Sequence, residues 1–393
     1  MLKAGPCSWP FACLFSFGFA AFFLLGVVLI LIGANQVEMA AALDLNLAQS
    51  GRLGAALILS IGVGVTVAGP LVDRLPRRPL FLACTGVAAI AGLAVRPAIS
   101  YAELLLWITL LGAGVGFYET LLHVVAAQQF GTRAVRPLAL LHAAATLGAT
   151  LGPWLTEWLV ARGEFPLAFH AVGVAVLLLG LSSFAIALPD PEAQAILETE
   201  NKDMSSGHST RWRILLSRDF LVLVGMSCAY IGVESSLTLF SVPYASEGLS
   251  LSPARGRSAI SAFWFGLLGG RLWLMFRRGS TGTRYLTWIS IAAGLWLVAI
   301  TVVRFSFIEL VTGGVGLLLG GAFSILVSLT AARFPTARGT TVGLVVGIGT
   351  AGGALIAALT GWLAEETSVL LGFQSLAFWV FLIPIGVQIL RRR

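Results

Sequence analysis

The chain has 393 residues, 58% of them hydrophobic and only 11% charged, with a formal net charge of +7. That balance excludes an ordinary soluble domain, and apolar stretches of about twenty residues, each able to cross a bilayer core, recur from end to end. The positive charge does not describe a nucleic-acid binder, because the basic residues sit in short clusters between the apolar runs rather than on one soluble face.

Apolar length predicts twelve spans in chain order, at 11–33, 50–70, 79–97, 102–127, 137–160, 166–188, 219–243, 257–276, 284–304, 307–330, 339–362 and 369–390. The first run is longer than the apolar core of a secretory signal, about 7–15 residues, so it reads as a spanning helix. Breaker pairs such as Arg96-Pro97, Arg136-Pro137 and Phe334-Pro335 punctuate the ends. The longest polar segment, 189–218, divides the chain into six-span halves, 1–188 and 219–393, and reads as a cytoplasmic linker. With a cytoplasmic N-terminus, 18 of the 25 basic residues fall in cytoplasmic segments and five in the opposite ones, with Arg52 and Arg271 inside spans. The positive-inside rule therefore places both termini in the cytoplasm, in what reads as a bacterial cytoplasmic membrane. Two six-helix halves joined in this way form a transporter architecture with the solute site between them near the midplane. A membrane receptor or scaffold without transport is the alternative.

Nothing in the sequence marks an enzyme. Cys7, Cys13, Cys84 and Cys228 form no CxxC pair, and neither Lys3 nor Lys202 sits in a phosphate-binding P-loop. There is no GxSxG elbow and no HExxH.

Between the second and third spans stands Gly69-Pro70-Leu71-Val72-Asp73-Arg74-Leu75-Pro76-Arg77-Arg78. This resembles the signature G-x-L-x-D-R-x-G-R-R of the major facilitator superfamily, with Pro76 in place of the usual glycine. The resemblance implies an all-α membrane protein of twelve transmembrane helices in two pseudo-symmetric six-helix bundles. It also implies a gating role for Gly69, Asp73, Arg74, Arg77 and Arg78, whose charges would hold one packing of helices and release another. The second half keeps only an echo, around Gly270-Arg271 and Arg277-Arg278-Gly279. Tyr230-Ile231-Gly232-Val233-Glu234, Phe263-Trp264, and Leu141-His142 with Gly148 and Gly152-Pro153 look like the fucose/proton symporter branch. That branch implies proton-coupled sugar import, with a fourth-span glutamate, here Glu119, as proton carrier. Its first-span aspartate has no counterpart in 11–33. The drug/proton antiporter branches are matched by Gly152-Pro153 but not by their fourth-span arginine, since Ile108 precedes Gly112.

Ionisable residues inside spans are costly and are functional hypotheses by default. Glu119 and His123 are four apart on one helical face, and counting outward from the loop near Thr132 brings His142 of the fifth span to a similar depth. This trio suits proton relay because histidine titrates near neutrality. Its alternatives are a packing tie through His123 and a divalent-ion site, for which no further ligand is evident. Glu234, in the seventh span, is a second coupling or solute-binding carboxylate. Tyr118, Tyr230 and Trp264 are the aromatic candidates for the solute site, while Arg271 reads as an anchor near the cytoplasmic end of its span. Glu157 and His170 read as span-end residues that reach water. The expectation is a monomeric secondary transporter with no cofactor and no metal, whose partners are a small-molecule solute, protons and the lipid bilayer, and no nucleic acid. Proton symport of a sugar-like solute leads, and export of a cationic or amphipathic compound by proton antiport follows.

Overall fold

The computed structural model describes residues 9–130, 135–186, 188, 216–276, 282–303, 307–335 and 338–392. Most of the 189–218 linker, and Arg133, Arg277 and Arg278 with it, lie outside the described residues. Every regular element among the described residues is helical. In hydrocarbon each backbone N–H and C=O must be satisfied within its own segment, and a helix does this.

The twelve predicted spans correspond to Trp9–Ala34, Leu47–Val72, Arg77–Leu93, Tyr101–Phe130, Val135–Val160, Pro166–Ser182, Arg218–Pro243, Pro253–Phe276, Thr283–Val303, a tenth in two pieces (Ile308–Leu319 and Ala322–Arg333), Arg338–Glu366 and Val369–Arg391. We refer to them as the first to twelfth spans. Ten are long and apolar enough to cross a membrane; the other two are the third and the ninth, of 17 and 21 residues. The tenth breaks at Gly320-Gly321. The sequence reading missed a short helix, Gln36–Leu43, which turns the chain after the first span. Asp44 ends it in the left-handed region (φ 52°). The second span then starts on a capping box, with Gln49 N donating to Asn46 Oδ1 (2.8 Å) and Asn46 N donating to Gln49 Oε1 (2.9 Å).

The packing repeats between the halves. The first span lies on the fifth as the seventh lies on the eleventh, the second on the fourth as the eighth on the tenth, and the third on the sixth as the ninth on the twelfth. Across the halves, the second span meets the eleventh and the eighth meets the fifth. This is the pattern of two pseudo-symmetric bundles.

Missing side chains allow the close approaches. A Cβ on Gly26 would collide with the Ala145 carbonyl, and one on Gly148 with the Phe23 carbonyl, so first and fifth spans touch backbone to backbone. The two halves likewise touch at the end away from the termini, where Gly51 lies against Gly361 and Gly33 against the Thr238 carbonyl. Towards the terminal end the second and eleventh spans part. Gly62 still reaches Thr350, whereas Gly69, Gly343 and Gly347 meet nothing within 4 Å. The space between the halves is therefore closed at the far end and opens at the terminal end.

Overpacking a backbone contact costs about 1–3 kcal/mol. Gly148→Leu is accordingly expected to lower the apparent melting temperature of the detergent-purified protein. Gly86→Leu, at a position with nothing within 4 Å, leaves it unchanged. Equal melting temperatures for both variants would contradict this account of the first–fifth contact.

Candidate functional site

A cavity of about 430 Å³ lies between the halves, lined by spans one, two, four and five of one half and seven, eight, ten and eleven of the other. Leu25, Leu29, Ile58, Ile61 and Val346 give it an apolar wall; Glu119, His142, Tyr230, Glu234, Trp264 and Arg271 give it chemistry. This volume falls in the range that holds drug-sized molecules, about 300–1,000 Å³.

Glu119 is half-buried and opens on the cavity. Among the described residues its carboxylate has no hydrogen-bond or ion-pair partner. One turn along, His123 Nε2 and His142 Nε2 share a hydrogen bond of 3.0 Å, so one ring donates and the other accepts. The edge of Phe22 packs against both rings, at 4.9 and 5.5 Å between centroids. His142 faces the cavity and His123 stands behind it. The expected trio is thus brought together across the fourth and fifth spans. Among the described residues no group of three or more His, Cys, Asp or Glu is arranged to hold a metal ion.

The opposite wall carries the second cluster. Tyr230 donates its hydroxyl to Glu234 Oε2 (2.7 Å) and stacks on Phe323. Trp264 Nε1 donates to Thr238 Oγ1 (3.2 Å), which itself donates to the Glu234 carbonyl (2.9 Å). Arg271 corrects the reading made from sequence: it is no end-of-helix anchor but lines the cavity and donates from Nη1 to Thr146 Oγ1 of the opposite half (2.7 Å). Its charge acts on Glu234 and on His142. Tyr118 is placed elsewhere. It is fully buried, donates its hydroxyl to the Ala21 carbonyl (3.1 Å) and ties the fourth span to the first, away from the cavity.

The signature loop lies at the terminal end. Asp73 closes the second span and is exposed, as is Arg74. Arg77 is buried at 1% exposure, and Arg78 Nη2 donates to the Ile186 carbonyl (2.9 Å), fastening the loop to the end of the sixth span. Gly69 presents an open face on the same helix.

The feature that sequence reasoning missed closes the far end. Arg257 is buried at 3% exposure and pairs with both Glu38 and Glu157 of the other half, while its Nε donates to the Ala34 carbonyl (2.8 Å). Glu157 therefore does not simply reach water. His170 also has a partner, the Val95 carbonyl at 2.6 Å. No local pattern announces the Arg257 cluster, because its members lie 119 and 100 residues apart along the chain. The available signal was an arginine at the first position of a predicted span, without a nearby acid to neutralise it.

Removing one partner of a buried ion pair leaves the other charge uncompensated. Arg257→Ala is expected to open the far end, lengthening the spin-label distance between the exposed positions Ala42 and Ser252, measured by pulsed electron resonance in detergent or nanodiscs. An unchanged distance distribution would show that the cluster does not hold the halves together.

No curated protein sequence matches the chain. Among solved structures it is similar to a bacterial homolog of the human lysosomal transporter Spinster in an inward-facing, unoccupied conformation, at 15% identity and TM-score 0.71 over 97% of this chain and 96% of that one. It is also similar to the nucleoside transporter NupG, at 14% identity and TM-score 0.76 over 97% and 99%. A D-xylose-proton symporter matches at 14% identity and TM-score 0.72 over 98% of each chain. Likenesses at such identities describe the fold. The profile of the Major Facilitator Superfamily matches residues 11–357, and with the signature loop, the paired six-helix bundles and the cavity between them, the chain belongs to that family and is a membrane transporter, not an enzyme.

Proposed function

We propose that the protein is a proton-coupled symporter of a small organic solute, in which Glu119 carries the proton and residues 1–188 rock against residues 219–393. The observation that supports this reading best is the Glu119 carboxylate, open to the solute cavity, unpaired among the described residues, and one helical turn from a hydrogen-bonded histidine pair. A carboxylate in this setting can be neutral in one state and charged in the other without breaking a structural ion pair. The likeness to the fucose/proton symporter branch assigns the same role to a glutamate at this place.

Taking the terminal end as cytoplasmic, the open cavity faces the cytoplasm. Closing it would bring the free faces of Gly69 and Gly343 together and carry the Asp73 carboxylate towards the amino end of the eleventh span. Negative charge is favoured there by the helix dipole, by about 0.3–1 kcal/mol. The signature loop and the Arg257 cluster would then act as gates at opposite ends, each closed when the other is open.

The cavity favours neither a sugar nor a cation. The hydroxyls of Thr66, Thr146 and Thr350 donate to carbonyls one turn back in their own helices, and those of Tyr230 and Trp264's neighbour Thr238 are likewise engaged. A polyol would have Ser235 and the charged groups Glu119 and Arg271 to bond with, and each further hydroxyl buried unpaired costs about 1–3 kcal/mol. A cation would meet the guanidinium of Arg271. Symport is therefore preferred to export of cationic compounds.

The test uses proteoliposomes with a trapped pH dye, challenged in turn with sugars, amines and organic acids, with protein-free vesicles as the blank. A transported solute should draw protons in the same direction. Glu119→Gln should abolish accumulation driven by a pH gradient while sparing exchange of labelled for unlabelled solute. Full gradient-driven accumulation by Glu119→Gln would remove Glu119 from the coupling step, and proton movement opposite to the solute would establish antiport.

A further inference from the structure

We propose that the cavity is an organic-anion site, in which Arg271 receives the carboxylate of a monoanionic solute whose apolar body lies against the first and second spans. The proposal rests on the transport reading only in taking this cavity as the solute site.

Arg271 is the one fixed cation among the described residues that line the cavity. A guanidinium has five N–H donors and keeps its charge throughout the accessible pH range. Its side chain donates to the neutral Thr146 hydroxyl (2.7 Å) and also interacts with the neutral hydroxyl of Tyr230. Among the described residues no carboxylate lies within 4.0 Å of it, in contrast to Arg257, which holds two. Glu234, on the same wall, makes no ion pair with it and accepts from the Tyr230 hydroxyl (2.7 Å). Arg271 is thus held at the cavity wall with donors to spare and without a protein counter-ion in contact. A planar carboxylate fits that vacancy of charge bidentately.

Charge accounting selects a monoanion. The groups facing Arg271 across the cavity are Glu119 and His142, with His123 behind, and Tyr230 and Glu234 stand on its own side. A monoanion arriving at Arg271 together with a proton on Glu119 leaves the net charge of the site unchanged. A neutral solute with one proton would raise that charge by one, and a dianion with one proton would lower it by one. In a low-dielectric cavity each such imbalance is penalised far more than in water.

Shape selects an amphipathic molecule. Leu25, Leu29, Ile58 and Ile61 face the arginine side from the opposite half, and the hydroxyls of Thr66, Thr146, Thr350 and Tyr230 are engaged within the protein. A body of one small ring or a short alkyl chain fills the apolar side, and the acid head meets Arg271, His142 and Thr146.

The test compares solutes of identical body and different head on the detergent-purified full chain. Phenylacetate, phenylacetamide, phenethylamine and phenyl phosphate form one series; hexanoate, hexanamide and hexylamine form another. Binding is read by calorimetry and thermal shift, since a solute that prefers the folded state raises its melting temperature. We expect the acid of at least one series to bind more tightly than its amide and its amine. Arg271→Gln should weaken the acid about ten- to a hundredfold, as loss of a charged hydrogen-bonded contact does, and Arg271→Lys should weaken it less. Both variants must elute as the parent does and melt within a few degrees of it; Arg271→Lys keeps the question open to measurement where Arg271→Gln fails to fold. Amides bound as tightly as acids, acids bound equally by Arg271→Gln, no acid bound in either series, or phenyl phosphate bound in preference to phenylacetate would each overturn the proposal. Anion binding that survives alongside a Glu119→Gln variant with normal gradient-driven uptake would refute the coupling role of Glu119 and leave the anion site standing. Gradient-driven uptake of a neutral solute, unaffected by Arg271→Gln, would do the reverse.

Discussion

Charge in a low-dielectric seam must be held by something, and in this protein most of that constraint falls on one helix. The eighth span carries Arg257 and Arg271, fourteen residues apart, which at 1.5 Å and 100° per residue places them about 21 Å apart on nearly the same face. Both reach the fifth span of the other half, Arg257 at Glu157 and Arg271 at Thr146. One contact lies at the closed far end and the other in the cavity. A helix is stiff over that length, so a tilt of the eighth span against the fifth moves both contacts together. The cavity contact and the far-end contact are in this way carried by a single rigid element.

The counterpart seam, second span against eleventh, has a different chemistry. It is built from Gly51 against Gly361 and Gly62 against Thr350, with the open faces of Gly69 and Gly343 beyond. Small residues let two helices slide or part with little loss, because few interdigitated side chains must be withdrawn. The backbone is pseudo-symmetric, but its seams differ: the eighth–fifth seam carries two arginines, while the second–eleventh seam is mostly small residues with a charged contact, Leu47 N donating to Glu365 Oε2 (2.8 Å). The cavity wall is divided in the same way. Glu119 and the His123–His142 pair of the first half face the arginine and the Tyr230–Glu234 pair of the second.

How much of this was legible in the sequence follows from the range of each interaction. Span positions were readable because bilayer thickness acts on every stretch of chain separately. The level of His142 beside His123 could be counted, because a short loop fixes the register of the fourth and fifth spans. Arg271 was misread because an arginine near a helix end ordinarily extends to water. Only the tertiary placement of the fifth span, with Thr146 opposite, shows that it turns inward. Tyr118 was misread for the converse reason: its neighbour Glu119 faces the cavity, and adjacent helical residues point about 100° apart. The Arg257 cluster joins three segments that are distant in the chain, so nothing local could reveal it. The short helix Gln36–Leu43, which brings Glu38 to that cluster, was hidden as the tail of a longer apolar run.

The composition of the far gate bears on how the cycle can run. A gate that must open on every turnover cannot be very stable. Arg257 is almost wholly buried at 3% exposure, yet its partners Glu38 and Glu157 keep 23% and 41% of their side-chain surface in contact with solvent. A carboxylate that remains partly hydrated, as Glu157 does, gains less from pairing than a fully buried one and loses less when the pair separates; Glu38 instead keeps Oε2 buried without a partner. The arginine bears most of the desolvation. When the halves part at that end, water reaches it and offsets much of the lost attraction. The glycine contacts beside it, Gly33 on the Thr238 carbonyl and Gly51 on Gly361, carry no charge and separate without exposing one. The closed far end is therefore held by the Arg257 cluster, by the Glu365 carboxylate accepting from Leu47 N (2.8 Å), and by uncharged glycine contacts.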